Sequence, residues 1–400
     1  MEKQLVNGNS YFIRDQKTQK QFEYLNENIE CDVLIIGGGV TGAILSYYFS
    51  TNHINTVVLE KNRIGHGSTS VTTALLQYEL DDNAKPLEAI LGKENVIKSY
   101  QLGSFALNQL QNIMNEYGNS CYYKIVDSLL YTNKSSQCDE IKNEYLFRKS
   151  QDFDVSWVDQ SNNPYDFDLK ACICSNQNAA TLDPYLFTYQ LLDIALKHHC
   201  RIYENSAAIK ISYEEDKVIV ETNYGHIISC KKVIVATGYD IDLFTNKKLD
   251  TKYLTFNIVT KPLENINPLL YNVIARDNED PYHYFRMTHD HRMIIGGEDI
   301  PYEAFNQNEK IIERCYQKLE QMACQILNQK IKIDYKYHGV FGTTKDTLGY
   351  LDQDPKHENL WYCLGYGANG ILYAILGGYF LVQKYLGKSN ELLELFKIKR

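Results

Sequence analysis

The sequence predicts an α/β fold in which a parallel-sheet domain is interrupted by a strand-rich α+β part. Three observations lead to this prediction. A buried strand, a glycine-rich turn and a helix follow one another at residues 31–50, and a second such series lies at residues 360–382. Between them, residues 201–343 have mainly the pattern of short strands. Because the two glycine-rich parts are far apart along the chain, the α/β domain is expected to be discontinuous.

The composition limits the classes of protein to which the chain can belong. Its 400 residues give a prior of two or three domains. Apolar residues at 44% and charged residues at 23% are ordinary for a globular protein. The 41 Lys and Arg against 50 Asp and Glu leave a net charge of −9. Nucleic acids and anionic membrane surfaces both reward clustered positive charge, so neither is expected as a partner.

The cysteines and the apolar segments indicate the compartment. No C-x-x-C pair occurs, so no metal site is predicted. The ten cysteines are scattered along the chain, which favours free thiols and a cytoplasmic location. The first 30 residues contain no apolar signal segment. Residues 360–382 carry no charge and are long enough to span a membrane, which is the alternative for this segment. Glycines and Asn369 interrupt it, so a strand, a turn and a buried helix are predicted instead, without a stable membrane span.

The first strand, turn and helix have the pattern of a dinucleotide-binding βαβ unit. Gly37, Gly39 and Gly42 form G-x-G-x-x-G between a strand at 31–36 and the following helix. The first glycine permits a tight turn, the second lets the backbone approach a diphosphate, and the third allows close packing of the helix. The helix N-terminus offers free N–H groups to that diphosphate. A glycine-rich turn in an unrelated α/β fold is the alternative.

A second strand, at residues 56–60, ends in Glu60, 18 residues after Gly42. A carboxylate in this place can accept hydrogen bonds from ribose hydroxyls. An acid in place of an arginine argues against a 2′-phosphate and therefore against NADP. NAD domains are usually contiguous, whereas here another buried strand, at 232–238, and the second glycine-rich turn lie far downstream. This arrangement favours a long cofactor that lies across the molecule.

The remaining elements are predicted from hydrophobic spacing and helix caps. Asp183 and Pro184 mark a helix start, because aspartate caps a helix and proline suits its first position. Helices are predicted at 74–91, 93–117, 138–149, 183–199 and 308–328. Strands are predicted at 121–132, 155–174, 207–213, 218–222, 227–229, 253–261, 273–276, 282–287, 292–296 and 331–343.

These elements predict a divided domain organisation. The cofactor domain is expected to comprise residues 30–80, 179–240 and 340–400. A substrate-binding cap domain is expected at residues 81–178 and 241–339, after an N-terminal extension at 1–29.

Several segments resemble the D-amino-acid oxidase-like superfamily of FAD-dependent oxidoreductases, the relatives of glycine oxidase and sarcosine oxidase. The resemblance implies a Rossmann-like FAD-binding domain of the glutathione-reductase type with a discontinuous, strand-rich substrate cap. It also implies an enzyme that oxidises the C–N bond of an amine or amino acid, with oxygen or a carrier as electron acceptor. The segments are residues 32–42, 58–60, 65–73, 235–238, 285–288, 292–299 and 364–371.

The resemblance also assigns residues to FAD. The Ser and Thr side chains of the 65–73 loop fall where the family passes the diphosphate and flavin ring, a helix cap being the alternative. Ala208 matches a backbone contact to adenine, and the helix starting near Ile371 would direct its positive end at the flavin. Val71 stands near the place where covalent relatives often have a histidine, so non-covalent FAD is expected. The residues assigned to FAD are Gly37, Gly39, Val40, Thr41, Gly42, Glu60, Lys61, Ser68, Thr69, Thr72, Thr73, Ala208, Gly238, Gly365, Tyr366, Gly367, Asn369, Gly370 and Ile371.

The sequence departs from this family on the substrate side. Amino-acid oxidases of the group hold the substrate carboxylate with an arginine on a strand that resembles residues 337–344, where this chain has Phe341. A simple α-amino acid is therefore in doubt. Arg286 is predicted to bind the substrate anion in place of the missing arginine, and the alternative is a surface salt bridge. Tyr284 is predicted to line the pocket of a cationic amine, and the alternative is core packing. No side chain is assigned as catalytic acid or base, because the flavin carries the chemistry.

Two other functions stay open from the sequence. One is a flavin dehydrogenase that oxidises a hydroxyl group and passes electrons to a quinone or another carrier. The other is a flavin-binding protein without turnover. Product analysis separates the first from amine oxidation, and a flavin that no amine reduces would support the second.

Overall fold

The computed structural model describes residues 6–14, 20–302 and 308–400, which form two sheets with helices packed on them. Of the predicted N-terminal extension, residues 1–5 and 15–19 lie outside the described residues. The strands are β1 (Val6–Gly8), β2 (Ile29–Ile36), β3 (Thr56–Leu59), β4 (Leu75–Gln77), β5 (Lys124–Thr132), β6 (Val155–Asp159), β7 (Ala171–Thr181), β8 (Arg201–Tyr203), β9 (Ala208–Tyr213), β10 (Val218–Thr222), β11 (Ile227–Val235), β12 (Thr251–Thr260), β13 (Val273–Asp277), β14 (Tyr284–Met287), β15 (Met293–Pro301), β16 (Ile333–Thr343), β17 (Tyr350–Gln353) and β18 (Leu360–Leu364). The helices are α1 (Val40–Thr51), α2 (Ala84–Leu91), α3 (Lys93–Tyr117), α4 (Cys138–Ser150), α5 (Pro184–Lys197), α6 (Glu309–Leu327) and α7 (Gly370–Tyr385).

The smaller sheet has the strand order β17-β18-β11-β2-β3-β8, with the β9–β10 hairpin attached to β11. Strands β18, β11, β2, β3 and β8 run parallel, and their apolar side chains are buried beneath helices that include α1, α5 and α7. Four of these strands end at one edge, where they are followed by Gly37, Glu60, Ala236 and Gly365. Ligands of open parallel sheets bind beyond the carboxyl ends of the strands, so a ligand-binding site is expected at this edge.

The larger sheet has the order β1-β16-β12-β15-β14-β13-β5-β7-β4, with β6 paired to β7. Its neighbours are antiparallel except for β13 and β5, and α6 packs on β12 and β15. Two of its strands come from outside the predicted cap ranges. Strand β1 belongs to the N-terminal extension and pairs with β16, and β4 belongs to the first cofactor range and pairs with β7. The domain ranges themselves stay a prediction.

The predicted helix at 74–91 is wrong in its first part. Strand β4 occupies residues 75–77, and α2 begins only at Ala84. Ala74 has a φ of +51°, which a right-handed helix does not accommodate. A short apolar run fits a strand as well as a buried helix, and pairing with β7 decides for the strand. The single strand predicted at 155–174 is also wrong, since β6 and β7 are separate strands paired with each other.

Two local predictions are confirmed. The Asp183 carboxylate accepts hydrogen bonds from the N–H groups of Tyr185 and Leu186, both at 3.0 Å, which caps α5 as expected. Strand β18 and helix α7 form the strand–turn–helix predicted for residues 360–382. Among the described residues, no helix combines the length and the apolar character that crossing a membrane requires.

Candidate cofactor and substrate site

The turn between β2 and α1 has the close approaches that its glycines imply. Gly37 has a φ of +115°, and a Cβ on it would lie 2.4 Å from the carbonyl oxygen of Ala236. A Cβ on Gly42 would lie 1.9 Å from the carbonyl oxygen of Gly37. Thr69, from the following loop, accepts a hydrogen bond from the Val40 N–H at 2.9 Å. The turn is therefore held from three sides and cannot take side chains at Gly37 or Gly42.

Glu60 follows β3 at the same edge of the sheet. One carboxylate oxygen accepts the N–H of Gly38 at 2.7 Å, and the other accepts the N–H of Asn62 at 2.8 Å. Burial raises the pKa of the Glu60 carboxyl, and these two N–H groups oppose that rise. A carboxylate has about four acceptor positions, so two remain for ribose hydroxyls.

A cavity of about 740 Å³ extends from this turn to the larger sheet. Its size lies within the range of roughly 300–1,000 Å³ that is usual for small-molecule sites. It brings together most of the residues that the sequence assigned to FAD or substrate. Those that line it are Gly37, Gly39, Val40, Thr41, Glu60, Lys61, Ser68, Thr69, Thr72, Thr73, Ala208, Gly238, Gly365, Gly367, Gly370, Ile371, Tyr284 and Phe341.

Three residues assigned to FAD do not line the cavity, and they support its walls instead. Gly42 packs beneath the Gly37 turn. The hydroxyl of buried Tyr366 donates to the Gly238 carbonyl at 3.1 Å, and the amide of Asn369 donates to the Glu79 carbonyl at 2.7 Å. Direct contact with a cofactor stays a prediction for these three residues.

Arg286, the expected anion binder, lies outside this cavity. Its side chain is 4% exposed, so the surface salt bridge named as its alternative is wrong. Its guanidinium donates to the carbonyls of Thr73, at 2.5 Å, and Leu182, at 2.8 Å. It therefore holds the loop after Thr72 against β7 and α5, and it faces a separate cavity of about 300 Å³.

Arg276 reaches the large cavity at its substrate end, and sequence reasoning missed it. The residue lies on β13 and is 6% exposed. Its Nη1 donates to the carbonyl of Asp81, while its buried Nη2 has no hydrogen-bond partner among the described residues. The available signal was a charged residue inside the otherwise apolar strand predicted at 273–276. An unpaired buried guanidinium nitrogen is costly, which indicates a ligand with an acceptor group.

Carboxylates and tyrosines surround Arg276 at this end of the cavity. Asp81 accepts the N–H of Ala368 at 3.0 and 3.1 Å, which ties it to the glycine-rich turn before α7. Tyr282 and Asp299 line the cavity beside it. Burial raises the pKa of Asp81 to about 6 and that of Asp299 to about 6. The cavity thus has a glycine-rich end and an end that carries charges of both signs.

These residues fit a dinucleotide with an additional ring system. The Gly37 turn, the Glu60 carboxylate and the Gly365–Gly370 turn lie along one cavity. The hydroxyl oxygen of Thr237, on its wall, is buried without a hydrogen-bond partner among the described residues, so it is available to a ligand. In the described part of the chain, no group of three or more His, Cys, Asp or Glu residues is placed to hold a metal ion.

Comparison with known proteins identifies the family. A family model described as "DAO: FAD dependent oxidoreductase" matches residues 32–384. The chain belongs to this FAD-dependent oxidoreductase family. The cofactor of the family is FAD, so the resemblance, the cofactor and the assignment as an oxidoreductase are confirmed.

Individual relatives of this family are distant. The gamma-glutamylputrescine oxidoreductase of Escherichia coli is 23% identical over 96% of this chain and 90% of its own length. A putative Rieske 2Fe-2S iron-sulfur protein of Bacillus subtilis is 26% identical over 54% of this chain, and the match spans 42% of that protein. The crystal structure of glycine oxidase from Geobacillus kaustophilus superimposes on this chain with a TM-score of 0.76 and 17% sequence identity. The match includes 93% of this chain and 99% of the glycine oxidase chain. This likeness confirms the predicted fold class.

Replacement of Glu60 tests the FAD site. In Glu60→Gln, the amide nitrogen must face the N–H of either Gly38 or Asn62, because both carboxylate oxygens now accept from the backbone. We expect the Kd for FAD to rise about 10-fold, as for the loss of one hydrogen bond to a charged group. Titration of the apoprotein with FAD, followed by flavin fluorescence, measures the change. The Glu221→Gln variant, which changes a half-buried glutamate outside the cavity, is the control, and equal Kd values for the two variants would contradict a role for Glu60.

Proposed function

We propose that this protein oxidises the C–N bond of an amine or amino acid. The observation that carries the proposal is the unpaired Nη2 of Arg276, beside acidic and aromatic side chains, in the cavity lined by most of the residues that the sequence assigns to FAD. FAD, when bound non-covalently, would supply a flavin ring that can accept a hydride. The substrate carbon gives up that hydride with its electron pair, the C–N bond becomes an iminium, and water then converts it to a carbonyl compound and free amine or ammonia.

The described side chains bind and orient the substrate. Arg276 offers its free N–H groups to an acceptor such as a carboxylate, a role that Phe341 cannot fill. The hydroxyls of Tyr284 and Thr255 lie 3.0 Å apart and share a hydrogen bond. Burial raises the pKa of Tyr284, so its hydroxyl keeps its proton at neutral pH and its ring presents an uncharged face to the amine. No side-chain base is needed when the amine reaches the site in its neutral form.

The visible spectrum of the purified protein tests this function. We expect a flavin spectrum that bleaches when an amine or amino acid is added without oxygen, and product analysis should then show ammonia or an amine together with a carbonyl compound. Bleaching only by alcohols, with a ketone as product, would contradict the proposal and favour oxidation of a hydroxyl group. A flavin that no amine reduces would favour binding without turnover.

Replacement of Arg276 tests the site for a carboxylate. In Arg276→Met, the half-saturating concentration of a carboxylate-bearing substrate should rise about 10- to 100-fold, as for loss of a charge-assisted hydrogen bond. Stopped-flow flavin reduction measures it. Arg276→Lys keeps the charge and should recover part of the loss. The half-saturating concentration of an amine without a carboxylate should change little. An equal rise for both types of substrate would contradict carboxylate binding by Arg276.

A further inference from the structure

Strand β15 contains a bulge at the substrate end of the cavity. Leu254 of β12 pairs with Ile300 and Phe256 pairs with Gly297, so Glu298 and Asp299 together oppose one residue of β12. Gly297 and Glu298 have positive φ values of 136° and 55°. A bulge of this kind redirects the side chains of its strand and occurs often beside active sites.

The bulge sends two adjacent carboxylates into different surroundings. Glu298 is fully paired, since one oxygen lies 3.2 Å from Nε2 of His283 and the other lies 2.6 Å from Nζ of Lys318. Asp299 lines the cavity, where the hydroxyl of Thr255 is its hydrogen-bonding neighbour. The Oδ1 atom of Asp299 is buried and has no hydrogen-bond partner in the described part of the chain. A buried carboxylate oxygen without a partner is costly unless a ligand pairs with it.

Arg276 does not neutralise Asp299. The Nη2 atom of Arg276 is buried and unpaired in the same cavity, so the two side chains are not hydrogen-bonded to each other through these atoms. Arg276 is instead directed by the Asp81 carbonyl and by the ring of Tyr282, whose centroid is 5.6 Å from its Cζ. The cavity therefore offers an unpaired donor on Arg276 and an unpaired acceptor on Asp299, and a ligand can satisfy both.

The neighbours of Asp299 favour a cation. Tyr282 and Tyr284 present aromatic rings, and the Asp81 carboxylate is a hydrogen-bonding neighbour of Tyr282. Asn257 adds a buried, unpaired carbonyl oxygen on the cavity wall. Carboxylates, amide oxygens and aromatic faces are all partners that an alkylammonium or guanidinium group binds.

We propose that Asp299 binds a second cationic group of the substrate, separate from the amine that is oxidised. The proposal rests on the amine oxidation proposed above and specifies its substrate class. The preferred substrates carry two cationic groups in neutral solution and are either diamines or amino acids with a cationic side chain; the amine that is oxidised loses its proton before it reacts. In the amino acid, the carboxylate binds Arg276 while the side-chain cation binds Asp299. When the substrate is a diamine, which has no carboxylate, the Nη2 atom of Arg276 binds water instead.

The proposal predicts a pH dependence of substrate choice. Burial raises the pKa of Asp299 to about 6, and a carboxyl is negative only above its pKa. The preference for a dicationic substrate should therefore be full above about pH 7 and decrease as the pH falls through 6. The titratable groups that interact electrostatically with Asp299 are Asp81, Tyr282, His283, Tyr284, Glu298 and Cys315, and Arg276 lines the same cavity.

Matched substrate pairs test the proposal with the holoenzyme. Both enantiomers of lysine and norleucine differ in the terminal ammonium, as do 1,4-diaminobutane and butylamine. The half-saturating concentration for anaerobic flavin reduction should be about 10- to 100-fold lower for the dication of at least one pair. Preference within the lysine pair alone would identify the amino acid as the source of the cation, and preference within the amine pair alone would identify the diamine. If norleucine and butylamine reduce the flavin as readily as their partners, the inference fails while amine oxidation stands. If no amine reduces it, the proposed function fails first.

Variants of the two adjacent carboxylates separate binding from folding. Asp299→Asn should raise the half-saturating concentration of the dication about 10- to 100-fold and leave that of the matched monocation within about twofold. Glu298→Gln alters the neighbouring carboxylate, which is already paired, and should keep the preference. The difference in half-saturating concentration between Asp299→Asn and the unmodified enzyme should also disappear when the two are compared below pH 6. An equal loss for dication and monocation would overturn the proposal, because Asp299 would then act on the reacting amine or on the fold.

Discussion

The Gly42→Ala variant should be isolated with little or no FAD. The new Cβ would lie 1.9 Å from the carbonyl oxygen of Gly37, so either α1 or the turn must move. Overpacking of this kind costs about 1–3 kcal/mol, and here the displaced backbone is the turn that is expected to bind the diphosphate. We therefore expect FAD affinity to fall about 10- to 100-fold. The ratio of flavin to protein absorbance, and titration of the apoprotein, measure the effect.

Gly225→Ala is the matched control for this substitution. Gly225 also lacks a side chain and has a φ of +80°, but nothing lies within 4 Å of a Cβ placed on it. Alanine there costs about 1–2 kcal/mol of stability through its left-handed conformation and does not touch the cavity. It should retain a full complement of FAD. Equal flavin content in the two variants would show that the close contact at Gly42 does not control the site.

The Arg148→Met variant should lose about 3–5 kcal/mol of the free energy of unfolding. Arg148 is fully buried, with Nη1 at 2.8 Å from Glu79 and Nε at 2.7 Å from Glu144. Both carboxylates are themselves buried, so removal of the guanidinium leaves two like charges without a cation. Denaturant unfolding measures the loss. Lys98→Met, which breaks an exposed pair with Glu94, should cost less than about 1 kcal/mol.

The pH dependence of Arg148→Met gives a second check. Without the arginine, the buried carboxylates of Glu79 and Glu144 lose the guanidinium that pairs with both of them, and burial disfavours uncompensated negative charge. The variant should therefore be least stable at high pH and recover as the pH falls and the carboxylates take up protons. Glu79→Gln and Glu144→Gln, added to Arg148→Met, should restore part of the loss at pH 8. A loss that is small and independent of pH would contradict this account.

The glycine-rich half of the site could be predicted from the sequence because its signals are local. Gly37, Gly39, Gly42 and Glu60 lie within one βαβ unit, where spacing alone determines which atoms meet. The second glycine-rich turn is equally local, and β18 with α7 forms as expected. The parallel pairing of β11 with β2 and β18 then brings these distant segments to one edge.

The substrate half is not readable in this way, because it depends on register in the larger sheet. Arg276 and Arg286 lie on paired neighbouring strands, and only one reaches the large cavity. Asp299 reaches it because of a bulge, which no periodic pattern announces. The error at residues 74–83 has the same cause, since strand β4 forms through a partner, β7, that is distant in the sequence.

The position of Gly365 at the sheet edge has a consequence for biosynthesis. The cavity wall needs the turns after β2 and β3, which leave the ribosome early, and the turn after β18, which leaves it late. Until then β11 lacks its parallel neighbour β18, and α1 lacks the cover of α7. The nascent chain thus presents an unfinished apolar sheet, a species prone to aggregation that chaperones protect. We therefore expect the cofactor to bind only after β18 and the turn at Gly365 have been synthesised, because that turn completes the wall of the cavity.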